Sequence, residues 1–423
     1  MAFYVKRLQL DANVDEGTLR VDVVNENAEP VVDANIALSV TGAPETTIEQ
    51  LRTDRSGQTE TIGLAAPPVE LSLEVNNDIQ PYSEYSIDVT APGYEGTNVT
   101  GIEILSQTES VQRVVLRRLE PGEITDEIVI PAHTLYAEYP PKIPEDEIKP
   151  MDESGEIVLS RVVVPEIVVV HDGAPSDATA QNYYVTYRDY IKNVASSEIY
   201  ATWPEESIRA NVLAIMSFTL NRVYTEWYRN RGYDFTITSS TAYDQKWIYG
   251  RNIYDNISAI VDEIFNQYIS RPNVRQPLMT QYCDGRRVQC ANRGWMTQWG
   301  SKNLGDRGYS AIEILRNYYG ENVYINSAEQ ISGIPSSWPG YTLTQGASGS
   351  KVSQLQEQLD RIAEVYSAIP RISADGIYGP RTEAAVREFQ RIFDLPQTGT
   401  VDFRTWYKIS QIYVGVTRIA EIQ

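Results

Sequence analysis

Apolar and polar residues alternate with a period of two along the first 118 residues. TLRVDVVN (18–25), ANIALSV (34–40), VELSLEV (69–75), YSIDVTA (85–91) and VQRVVLRR (111–118) are short runs of this kind, broken by Gly, Pro, Asn and Asp. They predict an all-β, antiparallel sandwich. The pattern fades over residues 119–166, a stretch rich in Pro and Glu, which predicts an extended, partly exposed linker open to proteolysis. VVVPEIVVV (162–170) is apolar enough to predict a buried strand that opens the next domain. Helical spacing then takes over. YIKNVASSEIY predicts a short helix, and Thr202, Trp203, Pro204 and Glu205 have the spacing of a capping box with proline in the first turn. ANVLAIMSFTL (210–220) is apolar nearly all round, so its helix is predicted at the centre of a domain. Ile257, Ile260, Val261, Ile264 and Phe265 form one face of a helix predicted over 253–268, and another is predicted over 310–319. Residues 167–335 therefore predict an α+β domain. Residues 341–423 read as a small helical module.

With 423 residues and 42% hydrophobic content, the chain has material for two or three domains with real cores. No run reaches the roughly 18–20 apolar residues of a membrane span. The first residues alternate and carry charge, so no signal peptide is expected there. The formal charge of −21 is unevenly placed: residues 1–160 hold 30 acidic and 10 basic side chains, and the rest of the chain is nearly neutral. Such a balance argues against a nucleic-acid partner, which wants a basic face. The two cysteines, Cys283 and Cys290, fit a small disulfide loop or two thiols. A zinc site would need further ligands, and neither His133 nor His171 lies near them in sequence, so no metal is expected.

Glu198 stands just before the corner that leads into the central helix, with Tyr200 and Trp203 close by. Alone, a glutamate at a helix end is most often a solvated charge. A carboxylate held at a rigid corner among aromatics is instead desolvated, which raises its pKa and lets it hold a proton near neutral pH.

Four blocks in order resemble the SpoIID/LytB family of wall enzymes: VASSEIYATWPEESIRANVLAI (194–215), TSSTAYDQKWIYG (238–250), GWMTQWG (294–300) and AIEILRNYY (311–319). That resemblance implies that Glu198 is catalytic and that Gln245, Gly250, Gly294, Trp295 and Gln298 line the substrate groove. The chain departs from the family at Met216, where many members have arginine. Near the C-terminus, LTQGASGSKVSQLQEQL (343–359), DGIYGPRTEAAVREFQRIFDL (375–395) and TGTVDFRTWYKI (398–409) resemble the three-helix peptidoglycan-binding module. The front strands are similar to carboxypeptidase-regulatory sandwiches, which bind or space rather than catalyse.

Taken together, the order of parts is similar to clostridial spore cortex-lytic enzymes of the SleC type. This implies a β-sandwich proregion (1–118), an acidic linker (119–166), a catalytic domain (167–335) and a peptidoglycan-binding domain (341–423). It further implies a cofactor-free lytic transglycosylase acting on cortex peptidoglycan in the spore, activated by a subtilisin-like protease. Cleavage is expected near Val162, Val163 and Val164, where acidic linker gives way to apolar strand. Three alternatives stay open: a muramidase using Glu198 with Asp244, an N-acetylmuramoyl-L-alanine amidase, and a non-catalytic amidase enhancer.

Overall fold

The computed structural model describes residues 14–119, 125–149, 159–333 and 338–417. Residues 1–13, where no signal peptide is expected, and parts of the Pro- and Glu-rich segment lie outside the described residues. The N-terminal part folds as two facing sheets. One holds β1 (Asp15–Asn25), β4 (Ile62–Ala66) and β7 (Glu109–Leu116); the other holds β2 (Asn35–Val40), β3 (Thr47–Arg52), β5 (Tyr82–Thr90), β6 (Thr97–Leu105) and β8 (Asp126–Val129). Leu19, Val21 and Val23 of β1 meet Ile36 and Leu38 of β2 and Ile87 and Val89 of β5 in one dry core, as period-two burial requires. Two expectations are corrected. The sandwich is not purely antiparallel, because β1 pairs with β7 and β6 with β8 in parallel: each of these pairs joins strands far apart in the chain. VELSLEV is not a strand but a one-turn helix, α1 (Glu70–Leu73). Its Ser72 hydroxyl donates to the Val69 carbonyl, a local bond that competes with sheet pairing.

In the central part, β9 (Val163–Val164) pairs with β18 (Gln330–Ile331), and β10 (Ile167–His171) lies between β11 (Asn182–Thr186) and β12 (Ile237–Thr238). The helices are α2 (Tyr187–Glu198), α3 (Glu205–Tyr224), α4 (Asp255–Ile264), α5 (Gln298–Asp306) and α6 (Ala311–Tyr319). Two ribbons complete it: β14 (Gln267–Ser270) with β17 (Tyr324–Ser327), and β15 (Tyr282–Cys283) with β16 (Met296–Thr297). The helix predicted over 253–268 is shorter than its pattern and is flanked by short strands. Helix α3 is buried on every side from Ala210 to Arg222 and packs against α2, α4, α5, α6 and β14. The capping box is not formed. Pro204 is the N-cap, and the Thr202 hydroxyl instead meets that of Ser72, 2.8 Å away on the sandwich.

Contacts among the described residues join the parts. Strand β13 (Ile253–Tyr254) adds itself to the edge of β7. Beside it the buried Arg251 guanidinium pairs with Glu103 at 2.6 Å. The C-terminal helices α7 (Ser350–Val365), α8 (Pro380–Ile392) and α9 (Phe403–Thr417) dock on both neighbours. Arg20 of β1 holds the Asp394 carboxylate through two 2.7 Å bonds, and Arg188 of α2 donates to the Tyr407 carbonyl at 2.8 Å.

A polar cavity of about 760 Å³ opens where the three parts meet, lined by Arg20, Glu109, Asp255, Arg391 and Asp394 among others. Burial, reinforced by Asp394 and Glu109, pushes the Asp255 carboxyl up to about 6. The fold thus prefers Asp255 protonated. The penalty for ionising it is absent near pH 4, grows as pH rises through about 6, and persists above. Asp255→Asn should therefore stabilise the protein at pH 7.5, by at most about 2 kcal/mol, and not at pH 4. Denaturant melts at the two pH values check this, and an equal gain at both would contradict it.

Candidate functional site

Glu198 is the last residue of α2, and the corner after it is pinned from three directions. The Trp203 indole donates to the Ser72 carbonyl at 3.1 Å, Asn256 donates to the Ala201 carbonyl at 2.7 Å, and the ring of Trp203 packs 5.0 Å from that of Trp299. The Glu198 side chain is 3% exposed. One oxygen accepts the backbone N–H of Lys246 at 2.7 Å, and the other is 3.5 Å from the Gln298 amide. Burial raises its pKa, while the charge of Lys142 and the Lys246 N–H act in the opposite direction without cancelling the rise. The result is a protonatable carboxyl inside the protein.

It faces a cavity of about 60 Å³, with room for a few waters and none for a sugar ring. One wall comes from the central part of the chain: Glu198, Thr241, Tyr282, Cys283, Asp284 and Gln298. The other is the supposed linker, through Thr134, Ala137, Tyr139, Pro140 and Lys142. Far from being a free extended segment, residues 133–149 form a strap packed over the site. Thr134 donates through both its N–H and its hydroxyl to the Ser197 carbonyl, beside Glu198. His133 is fully buried with its ring 4.5 Å from that of Tyr200. Lys142 reaches over the rings of Phe218 and Tyr282 to the Asp244 carbonyl. Ile143, Glu145 and Lys149 bond to Ala242, Gln281 and Gln276. These pairings satisfy backbone groups that a free linker would give to water, which is why the strap lies down.

The residues expected to line a groove separate. Gln298 reaches Glu198. Gln245 does not: it is buried, bonded to Tyr190, Thr219 and the Ile215 carbonyl, so it braces α2 against α3. Gly250 sits at φ +74° against Ile128 of the sandwich, where an added Cβ would collide, so its role is at the domain junction. Gly294 is exposed and Trp295 buried, and neither lines the cavity. Met216 is buried within α3. Asp244 is fully buried, with its oxygens taken by Arg222, the Tyr228 hydroxyl and both donors of Thr238, so a muramidase would lack its second carboxylate there. Asp284, missed in the sequence, lines the cavity, but its oxygens accept the N–H groups of Arg286, Arg287 and Val288. Cys283 and Cys290 form a disulfide that closes this loop. Val162 and Val164 are buried, and Val162–Val164 is hydrogen-bonded to the chain around β18, so a protease cut there would first require that pairing to be peeled apart. Among the described residues, no group of three or more His, Cys, Asp or Glu is placed to hold a metal ion, and no helix is long and apolar enough to cross a membrane.

Residues 348–409 match the family of peptidoglycan binding domains. The chain is multidomain, and its C-terminal module is a domain of that class. A stretch of 75 residues, 18% of this chain, is 39% identical to a zinc D-Ala-D-Ala carboxypeptidase of Streptomyces albus G, and spans 28% of that protein's length. Among solved structures, the SleB N-terminal domain is similar over 99% of its own length and 18% of this chain, at 28% identity and a TM-score of 0.16. The minor pilin GBS52 of Streptococcus agalactiae is similar over 48% of its length and 26% of this chain, at 15% identity and a TM-score of 0.18.

Because Lys142 favours the ionised form of Glu198, replacing it should push the Glu198 pKa further up. Titrating the carboxyl carbon resonance in Lys142→Met checks this. A fall, or no change, would mean that Lys142 does not act on Glu198.

Proposed function

We propose that the chain is the inactive precursor of a peptidoglycan lytic transglycosylase that acts on the spore cortex. The observation that carries this reading is one buried carboxyl, Glu198, its pKa raised by burial, at a pinned corner with no second free carboxylate among the described residues that line its cavity. A hydrolytic glycosidase ordinarily needs two. One suffices here. Glu198 first protonates the glycosidic oxygen between N-acetylmuramic acid and N-acetylglucosamine, and the C1–O bond breaks. The 6-hydroxyl of the muramic residue then attacks C1, and its proton returns to Glu198. A 1,6-anhydro ring forms without water, and Glu198 ends as it began. Gln298 orients the carboxyl. The peptidoglycan-binding domain keeps the enzyme on an insoluble polymer.

The strap supports the precursor part of the proposal, since a glycan cannot reach Glu198 while residues 133–149 cover it. Activation would be a cut by a subtilisin-like protease within residues 119–166, followed by departure of the strap. The place of action would be the cortex and coat region of the spore.

The test is mass spectrometry of fragments released from purified cortex peptidoglycan. Protease-treated protein should release 1,6-anhydro-muropeptides. Intact protein should release almost none, and treated Glu198→Gln should be slower by at least about a hundredfold. Reducing muramic ends as the main product would overturn the reaction class. Wild-type rates from Glu198→Gln would overturn the assignment, and equal rates before and after treatment would overturn the precursor.

A further inference from the structure

We infer that Arg222 is a carboxylate-binding residue of the glycan groove, and that Glu145 of the strap occupies its seat in this chain. The inference rests on the reading of Glu198 as the acid of a glycan-cleaving groove.

The guanidinium of Arg222 is held without help from the strap. Its Nε donates to Asp244 at 2.7 Å and Nη2 to the Tyr243 carbonyl at 3.1 Å. The rings of Phe218, Trp227 and Tyr228 lie 4.9–5.5 Å from its central carbon. Asp244 is itself fixed by Tyr228 and Thr238. So the catalytic domain alone presents a preorganised fork, Nη1 and Nη2, outward under the strap. That fork is filled by a carboxylate: Nη1 donates to Glu145 at 2.9 Å and Nη2 at 2.5 Å. Although burial works against it, this contact and Lys149 hold the Glu145 carboxyl below the usual range. Three residues earlier the same strap puts Lys142 near Glu198. One segment therefore covers both the acid and the fork.

When the strap leaves, Asp244 still balances the charge of Arg222, but Nη1 loses its acceptor. A planar fork with fixed Nε and flanking aromatics suits a carboxylate better than any neutral group. In a peptidoglycan strand the sugars carry no free carboxylate once the muramic lactyl group is joined to peptide. The ligand is thus a carboxylate of the stem peptide. Arg222 would select strands whose muramic residues carry a peptide with a free carboxylate.

The test uses the full chain carrying Lys142→Ala and Glu145→Ala, which empties the seat and removes the neighbouring cation. The probes are acetate and its neutral counterpart acetamide, each no larger than the part of the side chain that Glu145→Ala removes, followed by calorimetry. The acid should bind about tenfold or more tightly than the amide, with the preference fading in high salt and absent in the unaltered chain. Adding Arg222→Gln should abolish it. Equal binding of acid and amide, no binding of either, or a preference that survives Arg222→Gln and so belongs to Lys149, would each overturn the inference. Loss of anhydro products is read separately at Glu198. Failure of that reaction with the acid preference intact would sink the enzymatic reading and leave the carboxylate seat standing.

Discussion

Everything at the site depends on α3 having no solvent-facing side between Ala210 and Arg222. A helix apolar almost all round has to be wrapped, and the wrapping is done by α2, α4, α5, α6 and β14. That fixes the corner between α2 and α3 as rigidly as the helix itself. Glu198, the last residue of α2, has no freedom to swing into water. The upward shift of its pKa follows from this packing more than from any single neighbour. The same helix carries Arg222 two turns beyond its middle, so the acid and the cationic fork are set by one rigid body.

The strap turns that geometry into a closed state. It continues directly from β8, which pairs with β6; Ile128 of β8 and the following Ile130 belong to the sandwich core. The sandwich therefore anchors the strap. Closure uses ordinary interactions: backbone bonds to Ser197, Ala242 and Gln281, a buried histidine against Tyr200, and two charged contacts. Each is modest, but they act together along one continuous segment, so the strap is expected to leave as a unit once its chain is cut.

Much of this was legible in the sequence, and the failures have physical causes. Periodicity gave the sandwich, the buried helix and the C-terminal helices, because each buries a face whose period is local. The Glu198 corner was legible because aromatic residues surround it in sequence as well as in space. The strap was not. Pro and Glu content predicts a solvated linker, and nothing local signals that Thr134, Lys142 and Glu145 find partners some 60 to 140 positions away. Thr202 misled in the same way: its capping spacing was correct, but Ser72 of a distant domain took the hydroxyl. Gln245 and Gly250 lay in the right block and turned out to brace helices and a domain junction.

The central claim is that one segment covers Glu198 and must go for the site to open. Amide hydrogen exchange of residues 133–149, together with the Lys246 N–H that Glu198 accepts, tests it most directly. In the intact protein the Thr134, Ile143, Glu145 and Lys149 amides should exchange slowly. After protease activation they should exchange at the rate of an unstructured peptide, at the same time as glycan fragments begin to appear. Strap amides that stay protected in a protein fully active on cortex peptidoglycan would contradict the account.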